Sequence, residues 1–333
     1  MFKSRFCTLV LASVNSLVVY PSLGGGFTED FSHPPEQRAW KVFGSESLFK
    51  WNSTNQNLEV TWDSAQPNSY YYRELGTILT KSDDFSFSFD LRLSDVIAGV
   101  NAQKPGPFSL SVGLLNVGEA TQTNFVRGTG FNSPDLVEFS YFPDPGGAWI
   151  YGPSLTSVLV DATGTNWSTG GFGAQGLTTD DLYHVGLTYT SSNQTLRTVI
   201  TRNGLDYGQV SDTHLTTNFL DFRVDCLAIC SYSDAGQEPA YAGSVLAYGM
   251  VDNLTAVTPA PPVSLIEGSW AGQQWGVRFS CNSNWVYVLE RTEDFGRWVP
   301  ITPATPGTTG DLLLRDPNPP SDRAFYRVNA QRP

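Results

Sequence analysis

The sequence predicts an all-β protein in which many short antiparallel strands form a two-sheet jelly roll, followed by a smaller β-sandwich. Two features of the composition favour this fold class: the 333 residues include 31 Gly and 21 Pro, and aromatic residues make up 13% of the chain. Such a composition is typical of many strands joined by turns. The third observation is the segment 85–93, where apolar and polar residues alternate with the period of a half-buried strand.

The N-terminal segment 1–26 has the features of a secretory signal peptide. Lys3 and Arg5 give it a positive start, the residues from Phe6 to Val19 are mostly apolar, and small residues follow. The apolar run is too short and too interrupted to span a membrane comfortably. We therefore expect a secreted protein, extracellular or at the cell surface, without a membrane anchor.

Strand patterns then follow one another over a first domain, predicted at residues 27–257. The strongest pattern places one set of apolar residues on a single face, which we predict to be core. That set is Phe85, Phe87, Phe89, Leu91 and Leu93. Further strands are predicted at 58–62, 70–75, 108–112, 183–189, 196–200, 221–225 and 244–252. Strands of this number and length close into two packed sheets.

A Pro-rich linker, Thr-Pro-Ala-Pro-Pro, is predicted at residues 258–262. Such a linker is extended and fairly stiff. It separates the first domain from a second domain at residues 263–333, whose length suits a small β-sandwich.

The acidity of the chain is concentrated in the first domain. The formal net charge is −12; residues 27–262 hold 25 acidic and 11 basic residues, whereas residues 263–333 hold seven of each. A nucleic-acid partner would need a basic surface, so we exclude one. An acidic surface remains compatible with neutral glycans and divalent cations.

Three cysteines follow the predicted signal peptide, at Cys226, Cys230 and Cys281. An odd number cannot form a complete disulfide framework. On a straight strand Cys226 and Cys230 would lie about 13 Å apart, beyond the roughly 7 Å that a disulfide allows. We expect these side chains to be buried as small apolar residues.

One predicted strand, Leu136 to Asp144, carries a carboxylate in its middle. Glu138 shares a face of this strand with Ser140. A carboxylate is costly to bury alone, so we expect Glu138 to face a wet groove, a partner or a cation. The alternative is a structural acid paired with an arginine such as Arg127.

Four short motifs are spread over the first domain. They are Phe-Ser-Phe-Asp-Leu-Arg-Leu (87–93), Val-Glu-Phe-Ser-Tyr-Phe-Pro-Asp (137–144), Ser-Tyr-Ser-Asp (231–234) and Val-Asp-Asn-Leu (251–254). In this order they resemble the concanavalin A-like or laminin-G-like jelly-roll domain of exported bacterial proteins.

The tail contains Tyr-Val-Leu-Glu (287–290), Trp298 and Phe-Tyr-Arg-Val (325–328), and it resembles a small fibronectin-like C-terminal module. Together the two resemblances imply a concanavalin-like jelly-roll β-sandwich followed by a fibronectin-like β-sandwich.

The resemblance also implies where a site lies. In legume lectins the equivalents of positions 138, 140 and 144 ligate Mn²⁺ and Ca²⁺. Here Ser140 replaces the bridging carboxylate, so we do not expect the lectin-type pair of metals. We predict a ligand site in which polar groups from this strand are joined by aromatic side chains on the Gly-rich sequence that follows. The predicted ligand-binding residues are Glu138, Ser140, Asp144, Trp149, Tyr151 and Trp167.

A single Ca²⁺ is the one cofactor that we consider. Jelly-roll carbohydrate-binding modules often hold a structural Ca²⁺ near the domain termini, and Asp30 and Asp252 lie at the ends of the first and last strands. The resemblance therefore implies a Ca²⁺ site between these two residues. The alternative is a pair of solvated acids at strand ends.

The sequence supports catalysis less than it supports ligand binding. Retaining glycosidases need two carboxylates close together, but Ser140 and Phe142 occupy the same-face positions after Glu138. We predict a non-catalytic, extracellular carbohydrate-binding or adhesion protein whose partner is a glycan or polysaccharide. The C-terminal module would act as a spacer or as an attachment to the cell surface. The alternatives are a glycoside hydrolase or lyase on the same fold, and a structural surface protein without a small ligand.

Overall fold

The computed structural model describes residues 25–98, 109–127, 133–143, 153–171, 173–208, 210–233 and 244–332. These residues form two compact units, residues 25–259 and residues 260–332. Of the predicted site residues, Asp144, Trp149 and Tyr151 lie outside the described residues, as does the segment 1–24 of the predicted signal peptide.

The first unit is built almost wholly of strands. In chain order they are β1 (Gly26–Glu29), β2 (Lys41–Phe43), β3 (Phe49–Asn52), β4 (Asn57–Asp63), β5 (Ser69–Leu79), β6 (Phe85–Ala98), β7 (Leu110–Leu115), β8 (Leu136–Phe142), β9 (Ser154–Val160), β10 (Trp167–Thr169), β11 (Gly173–Ala174), β12 (Tyr183–Thr190), β13 (Thr195–Arg202), β14 (Leu205–Asp206), β15 (Thr213–His214), β16 (Val224–Ser231) and β17 (Val245–Val257). The helical elements of the described residues are two short 3-10 turns, Pro35–Arg38 and Glu46–Leu48, and one α-helical turn, α1 (Val117–Ala120). None of these helices is long and apolar enough to cross a membrane.

Two large antiparallel sheets make up the first unit. The nine-stranded sheet has the order β14-β13-β12-β6-β17-β4-β3, with β1 paired to β17 and β15 paired to β13. The eight-stranded sheet has the order β10-β9-β8-β7-β16-β5-β2, with β11 paired to β9. The first strand therefore lies beside the last, and the predicted all-β jelly-roll sandwich is confirmed.

The core of the first unit lies between these sheets. Phe89 of the nine-stranded sheet and Phe139 of the eight-stranded sheet meet there, with ring centroids 5.8 Å apart. The five residues predicted as the core face of the segment 85–93 are all buried, as predicted. Alternate residues of a strand face opposite sides. Because Phe139 faces the core, Glu138 and Ser140 lie on the other face of the eight-stranded sheet.

The strand predicted at 221–225 is displaced: β16 begins at Val224 and runs to Ser231. The run Cys-Leu-Ala-Ile-Cys within it does not alternate between apolar and polar residues, because both faces of this central strand are buried. Cys226 and Cys230 are buried there as free thiols. Burial raises the pKa of both thiols, so they remain protonated and weakly reactive.

The second unit contains two smaller antiparallel sheets. Its strands are β18 (Val263–Ala271), β19 (Gln274–Cys281), β20 (Val286–Thr292), β21 (Val299–Pro300), β22 (Thr305–Pro306), β23 (Gly310–Asp316) and β24 (Phe325–Gln331). One sheet has the order β18-β19-β23, and the other joins β21, β22 and β24 to β20. Phe279 and Tyr287 are fully buried in its core, with ring centroids 5.2 Å apart.

Candidate functional site

Glu138 lies at the centre of a buried polar cluster on the eight-stranded sheet. Its side chain has no solvent exposure, and Arg127 is buried beside it. The Arg127 Nε donates to Glu138 Oε1 at 2.6 Å, and a terminal guanidinium nitrogen contacts the same oxygen. Ser140 Oγ donates to Oε1 at 2.8 Å, and the Tyr232 hydroxyl donates to Oε2 at 2.8 Å. Both carboxylate oxygens are therefore hydrogen-bonded.

Hydroxyl groups extend the cluster across the sheet. Ser140 Oγ lies 3.2 Å from Ser111 Oγ, which lies 3.2 Å from Ser109 Oγ. The Arg127 guanidinium lies 5.9 Å from the centre of the Tyr232 ring. The result is a connected, buried network rather than an isolated charge.

The titration of this network is set by burial and by its own charges. Burial, with Cys230 and Glu138 next in importance, raises the pKa of Tyr232 well above its usual value, so its hydroxyl stays a neutral donor. Burial is the largest single influence on Arg127 and lowers its pKa, but the charge and hydrogen bond of Glu138, together with Tyr232 and Cys230, outweigh it, so the pKa is raised. Arg127 is therefore charged at neutral pH.

The strand register explains how the network fits. Ser111 of β7 is paired with Ser140 of β8, and Gly113 is paired with Glu138. A Cβ on Gly113 would lie 2.4 Å from Glu138 Cβ, so no larger residue can stand beside the carboxylate without displacing it. The glycine leaves room for Glu138 on this face of the sheet.

Among the described residues, no second carboxyl group is hydrogen-bonded within the Glu138 cluster. The hydrogen-bond partners of Glu138 in the described part of the chain are Arg127, Ser140 and Tyr232, and none of them is a second acid. Retaining and inverting hydrolysis both require a pair of carboxyl groups. Glu138 is fully buried, and its hydrogen bonds join it to Arg127, Ser140 and Tyr232 within the first unit.

Trp167 is the other predicted ligand-binding residue that the structure describes. It is the first residue of β10 and is 50% exposed. Trp167 is paired with Val160 of β9, and Val160 is paired on its other side with Leu136 of β8. This places Trp167 on the same face as Glu138 but about 12 Å away, from strand spacings of about 4.8 Å. Whether Trp167 and Glu138 belong to one ligand site stays a prediction.

Asp30 and Asp252 lie close enough to influence each other electrostatically. Burial, followed by the nearby charges of Asp90, Asp30 and Glu29, raises the pKa of Asp252 to about 6. Asp30 is exposed and accepts hydrogen bonds from the Ser32 backbone N–H and hydroxyl, at 3.1 and 2.7 Å. Within the described ranges, no group of three or more His, Cys, Asp or Glu side chains could hold a metal ion.

A separate open cleft lies on the outer face of the nine-stranded sheet. Its volume is about 440 Å³. The side chains that matter for its chemistry are Lys50, Asn55, Glu59, Arg92, Tyr248 and Met250. Four strands, β3, β4, β6 and β17, contribute them together with the turn between β3 and β4. The cleft and the Glu138 cluster are on different sheets and are therefore independent features.

A β-bulge shapes the floor of this cleft. The register between β17 and β6 shifts between Tyr248 and Gly249, opposite Ser94. The Ser94 hydroxyl donates to the Tyr248 carbonyl at 3.2 Å, and a Cβ on Gly249 would lie 2.4 Å from the Arg92 carbonyl oxygen. The extra residue of the bulge, Ser94, is on β6. Tyr248 is paired in regular register with Thr61 of β4, on the outer face of the sheet, and it is 40% exposed.

The charged groups of the cleft are partly paired. Glu59 accepts from Lys50 Nζ at 3.1 Å and from Asn52 Nδ2 at 2.6 Å. These hydrogen bonds lower the pKa of Glu59, so its carboxylate is ionised at neutral pH. Arg92 is exposed at the same cleft. The sequence predicts the strand at 58–62 that carries Glu59, but no local signal in the sequence brings Arg92 and Tyr248 beside it.

Comparison with known proteins shows distant likenesses to solved structures. No protein-family model matches the chain, and no curated protein matches it. Lectin II from Ulex europaeus is 11% identical over 72% of this chain and 100% of its own, with a TM-score of 0.48. Peanut lectin, solved with a nine-residue peptide, is 13% identical over 70% of this chain and 97% of its own, with a TM-score of 0.44.

A marine alginate lyase from Aplysia kurodai is 11% identical over 66% of this chain and 89% of its own, with a TM-score of 0.41. At these identities and TM-scores the likenesses carry no argument about ligand or activity.

Proposed function

We propose that this protein binds extracellular carbohydrate without cleaving it, and that the cleft on the nine-stranded sheet is the binding site. The observation that carries the proposal is the combination in one cleft of a half-exposed aromatic ring, Tyr248, with hydrogen-bonding groups of both kinds. Lys50 and Arg92 donate, and Glu59 accepts. Sugar hydroxyls both donate and accept, and the C–H face of a sugar ring packs on aromatic side chains.

The size of the cleft supports a small ligand. Its volume of about 440 Å³ lies within the roughly 300–1,000 Å³ range of small-molecule sites. Two cations face one carboxylate, so the cleft is less acidic than the first unit as a whole. It would accept neutral or acidic sugar units without the repulsion that the rest of the surface imposes.

Two observations support binding over catalysis. The lining of the cleft includes a single carboxylate, Glu59, which is held by Lys50 and Asn52. The other candidate acid, Glu138, is buried and its oxygens are occupied. The C-terminal unit would then act as a spacer or an attachment to the cell surface, and a Ca²⁺ ion near Asp252 would be structural.

A glycan array tests this proposal, using the full chain with and without Ca²⁺. The glycan that binds is then titrated against Tyr248→Ala and Arg92→Gln. Each change should weaken binding at least tenfold and leave the melting temperature within a few degrees. Leu205→Ala is a matched control, because Leu205 is 74% exposed on the same sheet and is not part of the cleft lining. It should bind as the wild type does.

Two results would overturn the proposal. If no glycan binds, or if Tyr248→Ala and Arg92→Gln both bind normally, the cleft is not the site. If the bound glycan is cleaved, shown by new reducing ends or by absorbance of unsaturated sugars, and Glu138→Gln abolishes that cleavage, the protein is an enzyme.

A further inference from the structure

The second unit displays three aromatic side chains together on its surface. Phe295 is 60% exposed and Phe325 is 37% exposed. Their ring centroids are 4.0 Å apart, and the Trp298 ring lies 6.2 Å from that of Phe295. We call Phe295, Trp298 and Phe325 the aromatic surface. It lies on the face of the β20–β24 pair that points away from the core. Tyr326 packs against the core, so the residue before it in the strand, Phe325, points to the opposite face, as does its partner Thr292.

Phe295 has an unfavourable backbone conformation. Its φ is +65°, in the left-handed region that bulky residues rarely adopt. Hydrogen bonds fix the turn: the Phe295 N–H donates to Thr292 Oγ1 at 3.0 Å, and the Gly296 N–H donates to Asp294 Oδ1 at 2.8 Å. Strain of this kind concentrates at sites of function. Phe295 remains 60% exposed although its ring packs on Phe325.

Polar groups border the aromatic surface in a fixed arrangement. Glu290 accepts from Arg327 Nε at 2.6 Å and from Asn329 Nδ2 at 3.1 Å, so its two oxygens are occupied. Arg327 also lies over the Trp298 ring, 4.4 Å from its centre. Among the described residues, this leaves the terminal nitrogens of Arg327 and the amide oxygen of Asn329 available to a ligand. The charges of Arg327 and Glu290 cancel.

We propose that the aromatic surface is a second carbohydrate-binding site, specific for a neutral saccharide. A sugar ring would pack its C–H face on Phe295 and Phe325. Its hydroxyls would accept hydrogen bonds from Arg327 and donate one to the Asn329 amide oxygen. The ligand is taken as neutral because Arg327 and Glu290 balance each other, and the second domain as a whole has seven acidic and seven basic residues.

The small area of the aromatic surface favours a saccharide over a protein. A stable protein interface buries about 800 Å² on each partner. Three rings, each burying at most about 150–250 Å² and only partly exposed here, offer much less. With the cleft of the first unit, the second site would make the chain bivalent, and linked sites bind a repeating polymer far more tightly than either alone.

Titration calorimetry on the full chain tests the second site, with neutral hexasaccharides of β-linked glucose, mannose and xylose as probes. The background variant is Tyr248→Ala, which removes the proposed cleft site, so the two proposals can fail separately. In this background a hexasaccharide should still bind, and adding Phe295→Gly should weaken that binding at least tenfold. Glycine accepts a positive φ without strain, so this variant should fold at least as well as its parent.

Leu265→Ala is the matched control, since Leu265 is exposed in the same unit but lies on β18, in the other sheet. It should not change the titration. If Tyr248→Ala binds none of the three probes, or binds one equally well with Phe295→Gly, the second site is wrong. If the chain instead self-associates in sedimentation and Phe295→Gly abolishes that association without affecting any sugar, the surface belongs to a second copy and the proposal is also wrong.

Discussion

The Tyr232 hydroxyl donates a hydrogen bond of 2.8 Å to Glu138 Oε2, although the two residues are 94 positions apart in the chain. Arg127 occupies the other carboxylate oxygen from a position 11 residues before Glu138. A charge that is buried with all its partners in place is satisfied, but it becomes costly when any partner is removed. The role of Glu138 can therefore be tested through stability.

Glu138→Gln should destabilise the protein by about 3–5 kcal/mol, because it leaves the buried Arg127 without its counter-charge. Tyr232→Phe removes one donor to the carboxylate and should cost about 1–3 kcal/mol. Both values can be measured by urea denaturation at pH 7. Ser140→Ala, which removes one neutral hydroxyl, should have a smaller effect. If Glu138→Gln left stability unchanged and weakened glycan binding, Glu138 would line the binding groove as the sequence predicts.

Gly113→Ala should cost about 1–3 kcal/mol by overpacking. The added methyl group would lie 2.4 Å from Glu138 Cβ and 2.5 Å from the Val137 carbonyl oxygen. Gly186→Ala is the matched control within a strand of the same sandwich, because no atom lies within 4 Å of the added Cβ. It should be neutral or slightly stabilising, since alanine restricts the unfolded chain. Equal effects of the two changes on the denaturation midpoint would contradict this account of the register.

Phe89→Ala should destabilise the first unit by about 3–5 kcal/mol, the usual result of emptying a buried aromatic site. Phe89 is fully buried against Phe139 of the opposite sheet. Val199→Ala, at a position 48% exposed on β13, should change stability by less than about 0.5 kcal/mol. A loss below about 1 kcal/mol for Phe89→Ala in chemical denaturation would mean that the core can close around the gap.

Asp252 makes stability depend on pH. Its pKa of about 6 in the folded protein exceeds the unfolded value of about 3.9. The folded state therefore binds more protons between these values, and stability falls as the pH rises from about 4 to about 6. Asp252→Asn should remove this fall. The variant should match the wild type at pH 4 and exceed it at pH 7 by about 1 kcal/mol, a figure reduced for the half-exposed position.

Asp30→Asn is a control that should change stability at pH 7 in the opposite direction to Asp252→Asn. Hydrogen bonds from Ser32 lower the pKa of Asp30, so its charged form contributes stability above the unfolded pKa, and the variant should be less stable than the wild type at pH 7. If millimolar Ca²⁺ raised the melting temperature of the wild type at pH 7 but not that of Asp252→Asn, the predicted Ca²⁺ site would be supported. Identical pH–stability curves for wild type and Asp252→Asn would contradict the raised pKa.

The core residues and the strand boundaries could be predicted from the sequence where apolar and polar residues alternate along a single strand. The alternation of 85–93 places Phe87 and Phe89 in the core without any knowledge of their partners. The same reasoning misplaced the strand at 221–225, because a strand buried on both faces has no alternation to detect. Two members of the aromatic surface, Trp298 and Phe325, lie within the motif of the tail, but the motif does not indicate that Phe295 packs beside them.

The sequence by itself determined the all-β class, the core face of the strongest strand and the absence of a second acid at Ser140 and Phe142, because each of these depends on residues a few positions apart. Only the tertiary structure decided that Glu138 is buried against Arg127 and Tyr232, and that a cleft brings Arg92 to Tyr248. Tyr232 is 94 positions from Glu138, and Arg92 and Tyr248 lie on two strands that are distant in the chain, β6 and β17. Their register follows from how two whole sheets pack their apolar faces, and no local pattern encodes it.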